Sequence, residues 1–274
     1  MSIIFQRKYG LNVNNHNPEN LFEYAASSGL KHIEINLSSE KFGLKTFTKD
    51  KISKLKNLSD EHNIQLSFHI PYYTNISDIL IHLRRSSIKY LSKSIQLASE
   101  LKSTHVTLHL GNFYWFPVEK WERRKALLRF IKSLVKILKL CEEKGVVIAL
   151  ENVVPIPSGS EYYLLGDNID DFEYIFSNVE SEYLKFCLDT GHANMAEGVI
   201  EYINNFHEKL SCIHYHDNNG FNDEHLAIGE GKVPWQELAS KLEDINFTGP
   251  IISECRGIKA HESALLFENY FTNN

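Results

Sequence analysis

Short runs of β-branched and apolar residues alternate along the chain with longer stretches whose apolar positions recur every three or four residues, the signature of strands and helices in turn. Strands are predicted at Tyr9 to Val13, His32 to Asn36, Ile64 to His69, Thr104 to Leu110, Val146 to Glu151, Leu184 to Asp189, Leu210 to His214 and Pro250 to Glu254. Each precedes a predicted helix: Pro18 to Ser28, Lys49 to His62, Ile81 to Leu101, Lys120 to Lys144, Ile169 to Val179, Glu197 to Phe206, Pro234 to Ile245 and His261 to Phe271. Pro18 and Pro234 suit the first turn of a helix, where a missing N–H is no loss, and Gly29 and Gly145 suit the left-handed residue just past a helix end. In the fourth helix Leu127, Leu128, Ile131, Leu134, Val135 and Leu138 form the expected buried stripe. Arg123, Arg124, Lys125, Lys132, Lys136 and Lys139 around it read as a solvated face rather than a nucleic-acid site.

Eight strand–helix units without a Pro-, Gly- or Ser-rich linker predict an α/β chain forming one closed (β/α)8 barrel domain over residues 1–274. An open, doubly wound sheet would normally carry a glycine-rich phosphate loop after an early strand. There is no G-x-G-x-x-G and no P-loop, and Gly229-Glu230-Gly231 follows no predicted strand directly, so no nucleotide cofactor is expected. At 43% hydrophobic and 23% charged residues, the 274-residue chain can bury a large core and is not compositionally disordered. Met1 to Lys8 lacks a basic-then-apolar signal layout, and no apolar run approaches the roughly 18 to 20 residues needed to span a bilayer. Cys141, Cys187, Cys212 and Cys255 are far apart and form no C-x-x-C pair, so they are expected to be reduced, buried thiols of a cytoplasmic protein.

The chain has 13 histidines, several at the ends of apolar runs. In a barrel of this type the carboxyl ends of the strands build the active site. Reading those ends gives Glu34, His69, His109, Glu151, Asp189, His214 and Glu254, with His192 just beyond Asp189 and Asp223 and His225 on the seventh loop. Any one of these would most often be a hydrogen-bonded structural residue; repetition at one structural position makes a divalent metal site the better reading. Imidazole nitrogen and carboxylate oxygen without thiolate suit Zn²⁺, Mn²⁺ or Co²⁺. Glu151, Asp189 and Glu254 in one mouth would repel each other unless a cation compensates.

These residues lie in an ordered set: His69-Ile70-Pro71-Tyr72, His109-Leu110-Gly111, Leu150-Glu151-Asn152, Cys187-Leu188-Asp189-Thr190-Gly191-His192, His214-Tyr215-His216-Asp217, Asp223-Glu224-His225-Leu226 and Ile252-Ser253-Glu254. The set resembles the xylose isomerase-like TIM barrel superfamily, which includes sugar isomerases, sugar epimerases and endonuclease IV, and the resemblance covers nearly the whole chain. It implies that Glu151, Asp189, His214 and Glu254 bind one metal, as in epimerase-like members. Members like endonuclease IV use a larger set, and every ligand type has a counterpart here, adding His69, His109, His192, Asp223 and His225. The metal count, from one to three, stays open.

Other features carry two readings each. His216 lies two residues beyond His214, on the same side of an extended strand, where it could be a second ligand. The resemblance selects the histidine three before Asp217, which is His214, and leaves His216 as a substrate contact or loop residue. Glu34 is a candidate for a substrate hydroxyl or for a structural hydrogen bond. Phe113, Tyr114, Trp115 and Phe116 after His109, and Tyr72 after His69, could stack on a sugar, close as a lid or pack within their own loops. His192 is also a candidate substrate contact, and Arg256 and Lys259 could bind a phosphate. His16, His62, His82, His105, His207 and His261 lie away from the mouth, and His32 begins the second strand at the wrong end.

Two chemistries compete. In a sugar or sugar-phosphate isomerase or epimerase, Glu151 and Glu254 would exchange a carbon-bound proton through an enediolate stabilised by the metal. In an abasic-site DNA endonuclease, a zinc cluster would generate hydroxide and cleave a phosphodiester. Duplex binding needs Lys and Arg around the site. The loops after the third to eighth strands offer only Lys232, Arg256 and Lys259, against Asp78, Glu119, Glu161, Asp167, Glu197, Asp217, Asp223, Glu224 and Glu230, in a chain of net charge −6. Lys41, Lys45 and Lys49 on the second loop are the remaining basic contribution. The segment from Tyr215 to Asn222 is short and has no basic residue, and His109-Leu110-Gly111 lacks the proline usual in endonuclease IV. A small sugar is therefore the expected partner, with DNA only under the second reading and no membrane. A noncatalytic sugar- or metal-binding barrel would be expected to lose one of the paired glutamates; both are present. The sequence leaves the sugar, the native metal and the oligomeric state open, homo-oligomer included.

Overall fold

In the computed structural model, which describes residues 5–14, 16–114, 120–157 and 160–272, strand and helix alternate as β1 (Tyr9–Val13), α1 (Phe22–Ser27), β2 (His32–Asn36), α2 (Lys49–His62), β3 (Gln65–His69), α3 (Ile81–Glu100) and β4 (His105–His109). A short strand β5 (Asn112–Tyr114) follows, then α4 (Lys120–Lys144), β6 (Val147–Glu151), β7 (Tyr162–Leu164), α5 (Ile169–Asn178) and β8 (Leu184–Asp189). The chain continues through α6 (Thr190–Met195), α7 (Val199–Phe206), β9 (Leu210–Tyr215), α8 (Trp235–Asp244), β10 (Ile251–Ser253) and α9 (Ala260–Thr272). Strands β1, β2, β3, β4, β6, β8, β9 and β10 close into one barrel, with every neighbouring pair parallel and β1 joined to both β2 and β10. This is the (β/α)8 architecture expected from the alternation.

Local chemistry sets the boundaries. Thr48 accepts from the Lys51 amide at the start of α2, and Asn168 accepts from the Asp171 amide at the start of α5. Gly29 and Gly145 take positive φ angles of 78° and 65°. Pro18 opens a 3-10 turn, Pro18–Leu21, ahead of α1, whereas Pro234 is the residue before α8 rather than within its first turn.

Three local expectations change. The buried face of α4 runs through Leu127, Phe130, Leu134, Ile137, Leu138 and Cys141, and Leu128 and Val135 are exposed. They sit about 100° round the helix from Leu127 and Leu134 and so miss the barrel. Phe113 and Tyr114, expected in a loop, belong to β5, which pairs antiparallel with β7; the Phe113 and Tyr163 rings stack at 5.7 Å. Trp115 and Phe116 lie outside the described residues. Helix α6 was not predicted: it begins directly at the end of β8, where the Asp189 side chain accepts from the His192 amide at 2.7 Å.

The main core lies between the outward faces of the strands and the helices, joining Phe22, Leu55, Leu91, Phe130, Phe172, Tyr202, Leu238 and Phe267 to Ile33, Phe68, Val106, Ile148, Phe186 and Ile213. The cysteines are free thiols; Cys141, Cys187 and Cys212 are buried and Cys255 is half-buried. Among the described residues, no helix is long and apolar enough to cross a membrane.

Candidate metal centre

Side chains alternate between the two faces of a strand, so every second residue of each barrel strand points inward. Gly10 marks the narrow end: a Cβ there would lie 2.7 Å from His32 Cβ. Above it the interior holds Asn12, Glu34, Ser67 and Thr107, with the enclosed cluster of Ala149, Cys187 and Cys212. His69, His109, Glu151, Asp189, His214 and Glu254 come to the carboxyl ends of their strands.

Glu151 is the hub. Its Oε2 accepts from His109 Nε2 at 2.8 Å and His69 Nε2 at 3.0 Å, and Oε1 lies 2.8 Å from His214 Nδ1. The same His214 Nδ1 is 3.4 Å from Glu254 Oε1. On the far side of the ring, His214 Nε2 faces Glu34 Oε1 at 3.0 Å. Glu34 is wholly buried and accepts from Asn12 Nδ2, Ser67 Oγ and Thr107 Oγ1. It is the third of five residues in β2, not its end, and this depth removes it from the substrate contacts expected of it. Its carboxylate instead orients His214 so that Nδ1 points toward Glu151 and Glu254.

A second group lies beside the first. Asp189 Oδ1 is 3.1 Å from His216 Nε2. Asp223 approaches His225 Nε2 at 3.2 Å, His216 Nε2 at 3.6 Å and His192 Nε2 at 3.8 Å. His69, His192 and His225 each donate Nδ1–H at 2.9 Å to a backbone carbonyl, of Ile70, Asn152 and Glu254 respectively. With Nδ1 committed in this way, loss of the Nε2 proton, which His69 shares with Glu151 in the metal-free protein, would leave each Nε2 a lone pair facing the mouth, the arrangement typical of metal-binding histidines.

Burial alone would lower the histidine pKa values, but the carboxylates dominate at most positions. His69 is held up to about 9 by Glu151, and His192 up to about 10, chiefly by Asp189. His214, between Glu34 and Glu151, is raised well above its ordinary value. At His109 burial prevails and the pKa falls. Burial would raise the Glu151 carboxyl, yet His214, His109 and His69 hold it well below the usual range; His192 and His216 likewise lower Asp189.

The residues fit a divalent cation. Asp189 Oδ2, His109 Nδ1 and both nitrogens of His216 are buried without hydrogen-bond partners among the described residues, and such groups are costly unless satisfied otherwise. Ligand atoms of Glu34, His69, His214 and Glu254 lie within 4.8 Å of one another, as do those of His69, His109 and Glu151.

His69, His109, Glu151, His192, Asp223, His225 and Glu254 line a cavity of about 340 Å³ together with Asn14, Asn36, Ser38, Tyr72, Val153 and Val154, and Asp189 and His214 lie buried behind it. The volume suits a small molecule. Tyr72 lies edge-on to His109 with ring centroids 5.0 Å apart. His216 is wholly buried and does not line the cavity, so its expected substrate contact is not made. Arg256 is exposed and outside the lining; only its amide reaches the site, donating to the His225 carbonyl. The sequence reading missed Asn14, Asn36 and Ser38, although Asn36, the last residue of β2, satisfies the strand-end rule better than Glu34 does.

Residues 22–268 match the family described as xylose isomerase-like TIM barrel. Among similar proteins, the uncharacterised MJ1311 of Methanocaldococcus jannaschii is 31% identical over 76% of this chain and 70% of its own length. A probable endonuclease 4 of Mycoplasmopsis synoviae is 26% identical, covering 68% of this chain and 67% of the relative. A D-psicose 3-epimerase of Enterocloster bolteae is also 26% identical, over 57% of this chain and 49% of that protein. Among solved structures, a D-tagatose 3-epimerase-like protein superposes with a TM-score of 0.82 and 26% identity over 97% of both chains.

Proposed function

The chain belongs to the xylose isomerase-like TIM barrel family, and from that premise we propose that it is a divalent-metal-dependent sugar epimerase or isomerase. Glu151, Asp189, His214 and Glu254 would hold the cation, with Zn²⁺, Mn²⁺ and Co²⁺ as the fitting ions. The observation that carries the reading is the pair Glu151 and Glu254, which converge on His214 Nδ1 from 2.8 and 3.4 Å and both line the cavity.

When bound, the cation supplies positive charge to the oxyanion that develops as a proton leaves the carbon beside a carbonyl. The protein's own groups do the rest. Both oxygens of Glu151 are held by imidazoles, whereas Glu254 is fixed through Oε1 by Asn12 and its Oε2 accepts no hydrogen bond among the described residues, with His225 Nδ1 4.0 Å away. Glu254 is accordingly the more available base, and Glu151 the partner that would pass a proton back to the carbon from the protonated imidazole of His69, which lies 3.0 Å from its Oε2. Tyr72 and His109 offer an aromatic wall against which a sugar ring can lie. Relatives named as epimerases of D-psicose and fructoselysine support the class of reaction.

Incubating the metal-loaded protein with ketoses in D₂O tests this. Deuterium should appear at the carbon next to the carbonyl, and Glu254→Gln should abolish its incorporation while metal content, measured alongside, separates a lost base from a lost cation. No exchange on any ketose would contradict the proposal.

A second reading, an abasic-site endonuclease, is favoured by one observation: His69, His109, His192, Asp223 and His225 all reach the same mouth. Against it, neither Lys nor Arg lines the cavity among the described residues. Cleavage of an abasic-site duplex at low salt, without exchange on ketoses, would establish this alternative.

A further inference from the structure

The groups assigned to the cation and to proton transfer occupy one half of the mouth. Strands β6, β8, β9 and β10, which carry Glu151, Asp189, His214 and Glu254, are consecutive neighbours in the closed barrel, whereas β1 lies across from β6 and β2 across from β8. On β1 and β2 the residues Leu11, Val13, Ile33 and Ile35 pack outward in the core, so the inward positions run through Asn12 to Asn14 and through Glu34 to Asn36. Asn36 pairs in register with His69 and therefore stands at the height of the mouth, one inward layer above Glu34. Asn14 and Asn36 both line the cavity, and neither has a role in the chemistry above.

The Asn36 side chain is held at one end only. Its Oδ1 accepts from the Ser38 amide at 2.8 Å, which closes a turn at the end of β2, and the Ser38 carbonyl accepts in turn from the Tyr73 hydroxyl at 3.4 Å. The turn is thus tied to the loop after β3, and the carboxamide is oriented before any ligand arrives. Its Nδ2 makes no hydrogen bond among the described residues, and neither do the Asn14 carboxamide and the Ser38 hydroxyl. A half-buried donor of fixed direction in a cavity wall is matched by a hydroxyl, which accepts from the amide and donates to a neighbouring oxygen.

We propose that Asn36, flanked by Asn14 and Ser38, is a specificity-determining residue that donates through Nδ2 to a hydroxyl at the end of the substrate remote from the reacting carbon. This rests on the epimerase or isomerase reading and adds the substrate class, ketoses long enough to reach from the glutamate pair across the mouth to β1 and β2. The carbonyl end lies toward β6 and β10, and the polyol tail lies against the amide wall. A ketose too short to reach that wall leaves an oriented donor without its partner, which is how a site built to bind a hydroxyl rejects the analogue that lacks it.

The test compares kcat/KM of the metal-loaded protein for ketohexoses with that for ketotetroses, which keep the carbonyl end and lack the last two carbons. The wild type should favour the ketohexose by at least ~10-fold. Asn36→Asp keeps the acceptor for the Ser38 amide and replaces the donor by an acceptor, and Asn36→Ala removes both. Each should lower the ketohexose-to-ketotetrose ratio by ~10-fold, a change that general damage to the site, acting on both sugars alike, would not produce; thermal melting and metal content establish that each variant is folded and loaded. If a variant does not fold, the wild type suffices: in the Zn²⁺-loaded protein the Asn36 side-chain amide resonances should shift on adding the ketohexose and not on adding the ketotetrose. Equal kcat/KM for the two sugars in the wild type, an unchanged ratio in a folded and loaded variant, or amide resonances that ignore the ketohexose would overturn the proposal and leave the epimerase or isomerase reading intact. Failure of the wild type to turn over any ketose would overturn both.

Discussion

Glu34 and His214 face each other across 3.0 Å inside the barrel, with the carboxylate one inward layer below the metal-facing side of the imidazole. Glu34→Gln keeps the shape but removes the charge that orients His214, and should weaken metal binding by ~10–100-fold, read by competition with a chromophoric chelator. The same carboxylates make metal uptake a proton-releasing event. His69 at about 9 and His192 at about 10 are charged at pH 7 in the metal-free protein, and a cation must displace those protons. Calorimetry in two buffers of different ionisation enthalpy should detect this release at pH 7. Because these pKa values are raised above the ordinary 6.5, the stability they contribute to the metal-free protein is fully present below about pH 6.5. It is lost as pH rises through about 9 to 10, so the melting temperature of the metal-free protein should fall over that interval. The identities of the mouth residues were legible because inward side chains repeat every second residue. Glu34 was misplaced because the third residue of a five-residue strand was taken for its end, although the predicted bounds His32 to Asn36 already put Asn36 there.

The loop from β9 to α8 carries Asp223 and His225, and Asp217 secures it. Its buried carboxylate accepts from the amides of Asn218, Gly229 and Val233 and from Trp235 Nε1, at 2.8 to 3.0 Å. Asp217→Asn turns part of this acceptor into a donor facing donors, and should cost about 3 kcal/mol by denaturant unfolding, with faster amide exchange across the loop. Strand positions were largely readable because each barrel strand is a compact apolar run. Strands β5 and β7, three residues each, have no such run, and their pairing joins residues that are about 50 apart in sequence. Helix α6 did leave a sequence signal: Asp189 is a capping residue as well as a mouth residue, and reading it only as a candidate ligand concealed the helix start.

For the whole molecule, a net charge of −6 and a cavity that neither Lys nor Arg lines among the described residues argue for a small substrate over a polyanion. Turnover of a ketose should therefore change little between 50 and 200 mM salt, whereas a protein gripping a duplex through 6–10 phosphates would lose ~10³–10⁵ in affinity over that range. Everything proposed for the chemistry depends on the strand ends of β6, β8, β9 and β10 meeting at one cation. Anomalous diffraction at the metal edge, from crystals loaded with Mn²⁺ or Co²⁺, tests this most directly. A peak bonded at roughly 2.0–2.2 Å to Glu151, Asp189, His214 and Glu254 is expected; loaded crystals with no peak among these four, or with the cation held elsewhere on the protein, would overturn the metal-dependent reading.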